Sequence, residues 1–340
     1  MAELKPVRGS DRVTIKDVAN DAGVSVAAVS KVLRSAYGVS ESLRSKVRAS
    51  MDKLNYRPLA SARGMRGQTY TLGLILPDIR NPFFSDILTG INTALERTPY
   101  RLMLGISQST THIEEALVDS MIDSQMDGLI LIGTAEDQGR LEETAATKPM
   151  VAIGHFAPQS GEYDTVNNDD QLSARLVVRH LVGNGYRNIA MLSLASLTST
   201  IIEERELGYR REMIEQDLAG AINVVRAGQT PREIHVAARK LLQSPARPEA
   251  LFCWTDFIAL EVISVATELG LRIPDDLAIV GHDNTHLCEF AQNSLTSVDQ
   301  SGELLGLKSA RLLIERIQGR IQSEHFVVEP RIVPRQSSGG

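Results

Sequence analysis

A run of small and hydroxylated residues ending in a lysine, Ser25, Val26, Ala27, Ser30 and Lys31, carries the first chemistry legible in this chain. That chemistry is recognition, since hydroxyls and an ammonium donate hydrogen bonds and small apolar groups allow close approach. The surrounding residues 13–34, VTIKDVANDAGVSVAAVSKVLR, explain how the run is presented. Thr14, with Asp17 three residues on, forms a capping box for a helix whose Ile15, Val18, Ala19 and Ala22 make one apolar stripe. Gly23 can take the left-handed conformation that ends a helix. Ser25 then caps a second helix that turns Val29, Val32 and Leu33 inward and leaves Val26, Ala27, Ser30 and Lys31 open to a partner. This is the layout of a helix-turn-helix, which sets its second helix in the major groove of DNA.

Bond-making chemistry finds little to stand on. The chain has no GxGxxG, P-loop, HExxH or nucleophile elbow. Its seven histidines are scattered without metal-ligand spacing. His282 neighbours Asp283, but such a pair without a nucleophile is more often structural. Cys253 and Cys288 make neither a disulfide framework nor a spaced metal site. The expectation is a protein that is not an enzyme, with no cofactor and no metal.

At 340 residues the chain suggests two or three domains. No run reaches the roughly 18 apolar residues of a membrane span, and the N-terminus MAELKPVRGSDR has no apolar core of a secretory signal. A cytoplasmic protein with no membrane partner is expected. The net charge of −6 argues against nucleic acid until its distribution is read. Residues 1–68 hold 13 Lys and Arg against 6 Asp and Glu, a charge of +7, and the remainder carries −13. A basic head on an acidic body suits a head that meets phosphate.

The elements that position these residues follow from periodicity. Ser40 caps a third helix, from about Glu41 to Leu54, whose Leu43, Val47, Met51 and Leu54 close a small three-helix core. Arg44, Lys46, Arg48 and Lys53 decorate its other face. Asn55-Tyr56-Arg57-Pro58 stops it, and LASARGMRGQT reads as a linker too short and glycine-interrupted to be a stable helix alone. From Tyr70 the texture changes to short strands (TLGLILP, RLMLGIS, GLILIG, PMVAIG, NIAMLS, INVVRA, ALFCWT, LAIVGH) alternating with helices over 83–97, 112–125, 171–183, 203–216, 231–242 and 257–269. Such alternation implies parallel sheets covered on both faces. The units are too many for one sheet, so two α/β lobes are expected.

Taken together, VTIKDVANDAGVSVAAVSKVL, LNYRP with ARGMRG, LGLILPDIRNPFF, RELGYR, IPDDLAIVGHDN and LTSVDQS resemble the lactose-repressor (LacI/GalR) family of transcription regulators, across essentially the whole chain and in the right order. The resemblance implies an N-terminal all-α helix-turn-helix head plus an α/β two-lobed, periplasmic-binding-protein-like body with parallel sheets. It implies a homodimer on pseudopalindromic double-stranded operator DNA, most often a repressor in this family, and a small-molecule effector of sugar-like chemistry.

By that resemblance Val26, Ala27 and Lys31 face base edges, with Thr14, Ser25 and Ser30 on phosphates and Tyr56 and Ala62 completing the DNA-binding set. Small side chains can meet thymine methyls and Lys31 can donate to guanine. Many relatives carry arginine there, and lysine lacks the planar bidentate fork, so discrimination should be looser. Met65 falls where relatives place an apolar wedge, usually leucine, into the minor groove. Gly64 beside it departs from the pattern and costs about 1 kcal/mol of helix propensity. Leu59 replaces a common asparagine after the proline.

In the body the family pattern lands on loops at the carboxyl ends of strands, where ligands of two-lobed binders sit. The implied effector set is Phe83, Phe84, Asn168, Asp169, Arg205, Phe252, Trp254, Asp256 and Asp283. Aromatic faces with Asp, Asn and Arg are a common way to hold a polyhydroxylated sugar. Arg205 sits where relatives fork an arginine onto a ligand hydroxyl or carboxylate. Two readings stand for some of these: Phe83 and Phe84 as stacking faces or as caps of a lobe core, and Asp256 as ligand or as helix N-cap.

The expected domains are a head at 12–57, a hinge at 58–68 and a body at 69–336. Within the body the first lobe takes about 69–169 and 299–322, and the second about 170–298 and 323–336. A tetramer is not expected, because no leucine-heptad extension follows VVEPRIVPR. The rival readings are a solute-binding protein and an α/β enzyme with a regulatory DNA-binding head.

Overall fold

A computed structural model describes residues 13–33, 37–56, 68–156, 161–195 and 200–339, and these fall into two compact units divided between Thr69 and Tyr70. The first unit holds α1 (Ile15–Asp21), α2 (Val26–Leu33) and α3 (Glu41–Lys53). Local chemistry sets their ends. Thr14 donates its N–H and its hydroxyl to Asp17 Oδ2, each at 2.7 Å. Gly23 leaves α1 at φ +58°, a conformation without steric cost for glycine. Ser25 Oγ accepts the Ala28 N–H at 3.1 Å, and Ser40 Oγ accepts the Leu43 N–H at 3.3 Å. Each such cap contributes about 1 kcal/mol.

Val18, Val29 and Val47 meet in the centre, fully buried, with Leu43, Met51 and Leu54 packed against them. The Ser50 hydroxyl donates to the Val18 carbonyl at 3.2 Å and Lys53 pairs with Asp21 at 2.6 Å, tying α3 to α1. Of the expected hinge at 58–68, residues 58–67, with Leu59, Ala62, Gly64 and Met65, lie outside the described residues.

The second unit begins with β1 (Thr71–Leu76), α4 (Phe83–Leu95), β2 (Arg101–Ile106), α5 (Thr111–Asp123), β3 (Gly128–Ile132), α6 (Gln138–Thr147), β4 (Met150–Ile153) and β5 (Asp164–Asn168). It continues through α7 (Asp170–Gly183), β6 (Ile189–Leu194), α8 (Thr200–Glu215), β7 (Asn223–Ala227), α9 (Pro231–Leu242), β8 (Ala250–Cys253), α10 (Asp256–Glu268), β9 (Ala278–His282) and β10 (Thr296–Asp299). It closes with α11 (Gly302–Ile317), β11 (His325–Val328) and β12 (Arg331–Val333).

Two six-stranded sheets result, ordered β11-β5-β4-β3-β1-β2 and β12-β10-β9-β8-β6-β7. Helical crossovers make most neighbours parallel, and strands β3 and β4 are buried along their whole length. The expectation of parallel sheets needs one correction, since β12 lies antiparallel on β10. The lobe boundary needs another. The sequence puts residues 323–330 in the second lobe, but β11 pairs in parallel with β5 of the first sheet, from His325 beside Thr165 to Val328 beside Asn168. Asp299, expected in the first lobe, ends a strand of the second sheet. The chain therefore passes between the lobes three times, after β5, after β10 and after β11.

Helices α4 and α11 cross with their backbones in contact. A Cβ built on Gly90 would fall on the Glu303 carbonyl, and one on Gly306 on the Ile87 carbonyl. This close approach seats α11 against the first lobe between two of its own crossings. Among the described residues no helix is long and apolar enough to cross a membrane.

Candidate functional site

The head presents one open face on α2. Ser25, Val26, Ala27 and Lys31 are exposed there, while Val29 and Val32 face the core. Exposed Lys16, Lys46 and Arg48 add positive charge around this small unit. Lys53 is engaged by Asp21, and Arg44 by Glu41 at 4.0 Å. Ser30 departs from expectation: it is only 9% exposed. It directly follows Val29 on the border of the buried stripe, so its hydroxyl is not presented as those of Thr14 and Ser25 are. Tyr56 is half-buried and packs against the head core, and its N–H closes the end of α3 on the Met51 carbonyl at 2.8 Å. Ala62 and Met65 lie outside the described residues.

In the body, a cavity of about 810 Å³ opens between the lobes at the carboxyl ends of the strands. Phe83, Phe84, Asn168, Arg205, Trp254 and Asp283 of the expected set line it. The two phenyl rings stand 5.9 Å apart, tilted by 54°. Phe83 is largely buried in the first lobe's core, whereas Phe84 is half-buried. Both rings line the cavity, and both pack on the first lobe's core.

Three expected residues do not line the cavity. Asp169 is the N-cap of α7, its Oδ1 accepting the Leu172 N–H at 2.8 Å; the next residue, Asp170, lines the cavity instead. Phe252 is wholly buried in the second lobe's core, because alternation along β8 turns it under the helices. Asp256 opens α10, but Thr255 is the residue that caps it. The Asp256 carboxylate turns back beneath the sheet edge, accepting the Thr285 N–H at 2.7 Å and the Ser297 hydroxyl at 2.5 Å. Its role is to hold the turn after β9.

That turn aims Asp283. The residue takes φ +113° and Asn284 φ +51°, a left-handed bend that costs a side-chain-bearing residue free energy and persists only when its surroundings enforce it. Here the Asp283 N–H is held by the Val298 carbonyl at 3.0 Å. Its carboxylate accepts Asn81 Nδ2 at 3.0 Å and Gln300 Nε2 at 2.6 Å. Burial pushes the Asp283 carboxyl up despite these donors and the nearby Arg205. Burial, with the charge of Asp283 added, pushes Asp256 up as well. Burial and the positive charge of Arg205 hold His282 far below its ordinary value, so it is neutral.

Arg205 is the second anchor, and its fork is occupied. Nε and Nη2 donate to Asp170 Oδ1 at 3.0 and 2.5 Å, and Nη1 donates to the Trp254 carbonyl at 2.7 Å. The guanidinium carbon also lies 3.9 Å from the centroid of the Trp254 ring, a cation–π stack. The expectation set this fork on a ligand hydroxyl or carboxylate; here Nε and Nη2 meet Asp170, and the guanidinium still lines the cavity. Asn81, Asp170 and Gln300 were missed by sequence reasoning. Asn81 and Gln300 lie inside the matched segments DIRNPFF and VDQS, while Asp170 is one register step from the residue chosen. Among the described residues no group of three or more His, Cys, Asp or Glu could hold a metal ion.

Comparison with known proteins agrees with this geometry at both ends. The family profile described as bacterial regulatory proteins, lacI family, matches residues 14–58, and that of a periplasmic binding protein-like domain matches residues 178–338. Catabolite control protein A of Priestia megaterium is 33% identical over 330 residues, covering 96% of this chain and 99% of its own. The HTH-type transcriptional repressor PurR of Photobacterium profundum is 31% identical over 329 residues, covering 95% and 98%. Among solved structures, the transcriptional regulator CelR–cellobiose complex superposes with a TM-score of 0.70 at 27% identity, covering 96% of this chain and 100% of that one.

Proposed function

The chain belongs to the lacI family of bacterial regulatory proteins, DNA-binding transcription repressors regulated by an effector, and from that premise we propose that it binds a pseudopalindromic operator as a homodimer and answers to a sugar or sugar derivative. The carrying observation is the cavity walled by both lobes, with Asn81 of one lobe bonded to Asp283 of the other. An occupant touching both walls binds one lobe orientation better than another, and a ligand shifts an equilibrium only through such a difference.

The head supplies the output. Val26, Ala27 and Lys31 read base edges, Thr14 and Ser25 set register on phosphates, and Met65 with Ala62 works from the hinge in the minor groove. Dimerisation is supported by the edge strand β2, where Met103 and Leu104 are each 53% exposed. An apolar strand edge of this kind calls for a cover, and a second copy on a two-fold axis matches a palindromic site. The sugar assignment is supported by Phe84, Trp254, Asn168 and Asp283 sharing one cavity, and by the cellobiose named in the complex of the CelR relative. The protein works in the cytoplasm and carries out no chemical step on its effector.

Binding-site selection with the purified chain is expected to return a pseudopalindrome, bound two chains per site. A panel of sugars then changes operator affinity at fixed salt. Selection of an unpaired half-site would sink the dimer reading. Turnover of a bound sugar would revive the enzyme reading.

A further inference from the structure

Two carboxylates, Glu114 and Glu136, are buried beside a loop that lines the first lobe's side of the cleft, and their surroundings treat them differently. Glu114, in the first turn of α5, is 1% exposed. Its Oε1 accepts the Thr134 hydroxyl and its Oε2 the Ala135 N–H at 3.2 Å, and the Ser107 side chain also bonds to it. Glu136 is 5% exposed, and neither of its carboxylate oxygens has a hydrogen-bond partner among the described residues. A buried charge without donors costs free energy that protonation removes.

The groups facing Glu136 make that cost worse. From α5 come Glu114, Glu115 and Asp119, all acidic, and from α6 only Arg140. Arg140 is itself drawn to Asp119 at 3.1 Å and Glu143 at 3.3 Å. Burial and the charge of Glu114 lift the Glu136 carboxyl to about 7. Burial raises Glu114 as well, but its donors oppose that rise, so Glu114 is the better stabilised anion of the two. A metal ion does not suit this place, since among the described residues no group of three or more His, Cys, Asp or Glu could hold one. A proton needs no such set.

Both carboxylates act on one loop. It leaves β3 at Gly133, φ +54°, a bend that glycine takes freely, and ends at Asp137, which caps α6 by accepting the Arg140 N–H at 3.0 Å. Between these ends Thr134 joins the pair, its hydroxyl donating to Glu114 and accepting the Glu136 N–H at 3.1 Å. Gly133, Thr134 and Ala135 line the cavity. An ionised Glu136 reaches water by turning its own backbone outward, and that turn draws Thr134 and Ala135 off Glu114.

We propose that Glu136 is a proton-operated latch on the loop from Gly133 to Asp137. With its proton on, the loop is held against Glu114; with its proton off, Glu136 swings out to water and that part of the cleft wall loosens. The order of the wall is then set by pH, whatever molecule occupies the cleft. The latch adds a regulation to the sensor proposed above and rests on that reading only for what the wall meets.

Hydrogen exchange on the full chain, with no effector present, tests it. After correction for the intrinsic pH dependence of exchange, the Ala135 and Glu136 amides should be about tenfold less protected at about pH 8.5 than at about pH 6, while those of β3 stay within about twofold. Glu136→Gln, which keeps the shape of the protonated acid, should hold the low-pH protection at both values. Thr134→Val, which removes one bond to Glu114, should give at the lower pH the weak protection that the native loop shows at the higher one. Equal loop protection at both pH values, a loss shared by β3, or a Gln variant that loosens in parallel with the native chain would overturn the latch. So would recovery of protection at high pH on adding millimolar calcium, magnesium or manganese chloride, because a cation and not a proton would then be the occupant. None of these outcomes depends on operator or sugar binding, so the sensor reading stands or falls separately.

Discussion

Asn81 and Asp283 stand 202 residues apart in sequence and meet across the cleft, amide Nδ2 to carboxylate Oδ2, at 3.0 Å. Asn81 also accepts the Phe83 N–H at 3.1 Å through its Oδ1, so one side chain both starts α4 and joins the lobes. A hydrogen bond to a carboxylate is worth about 1.5–3 kcal/mol. Asn81→Ala should therefore weaken effector binding about tenfold while operator affinity without effector changes less than threefold. Calorimetry and fluorescence anisotropy on the same preparation check this, and an unaltered effector affinity would remove the bond from the mechanism.

Lys31 is the exposed cation on the reading face of α2. If it reads a base, Lys31→Ala weakens the selected operator about tenfold and relaxes preference at one position. If it merely holds a phosphate, affinity falls equally for all sequences and the salt slope drops by about 1. The first outcome is expected, and operator titrations at three salt concentrations with single-base variants decide between them.

Met65 lies outside the described residues, and its prediction follows from the family pattern alone. Met65→Ala should weaken operator binding at least tenfold and leave effector affinity unchanged. Equal operator affinity by mobility shift would end the wedge assignment.

Glu136 has two buried carboxylate oxygens without a hydrogen-bond partner among the described residues. Burial, with the charge of Glu114 added, lifts its carboxyl from 4.5 to about 7. Between those values the folded state keeps a proton that the unfolded chain has lost. The stability this group contributes is full below about pH 4.5, falls as pH rises and is gone above about 7. Glu136→Gln should stabilise the body by up to about 3 kcal/mol near pH 8, and by little near pH 4.5. Thermal melts at the two pH values check it, and a gain independent of pH would contradict the assignment.

Gly306 meets the Ile87 carbonyl where α11 crosses α4. Gly306→Ala should push the helices apart and lower Tm by several degrees or prevent folding. Gly220→Ala, whose Cβ would meet nothing within 4 Å, should leave Tm within about 1 °C, consistent with a surface change. Equal melting of both variants would show that the crossing tolerates a methyl group.

The head was legible in detail because its determinants are local. Capping residues, a turn glycine and stripes at helical spacing lie within about 40 residues and need no distant partner. Strands β1, β3, β4, β6, β8 and β9 were legible because buried parallel strands are apolar runs, and the edge strands β2 and β7 because they too are short apolar-rich runs, although largely exposed or half-buried. Strand β5, DTVNN, was not: it is buried throughout yet mostly polar, and its Asp164 is held by Arg320 at 2.6 Å, far along the chain. Short β11 and β12 carry no run long enough to show, and their pairing is a tertiary choice, which is why the lobe boundary was misplaced. In the cavity, the motifs found the loops but not the rotamers. Asp169 and Asp170 differ by one position, and only the fold shows that the first closes a helix end and the second meets Arg205. Asp256 fails for the same reason, its carboxylate spent on Thr285 and Ser297.

The three crossings between lobes have a consequence for how such a chain can be recombined. The head is one uninterrupted stretch, so a single splice transfers it to another sensor. Neither lobe is. A stop codon shortly after residue 299 would strip α11 and β11 from the first lobe and β12 from the second in one stroke. The sensor is inherited whole, so new specificity has to come from substitutions around the cavity, whereas new target sites can come by exchange of the head.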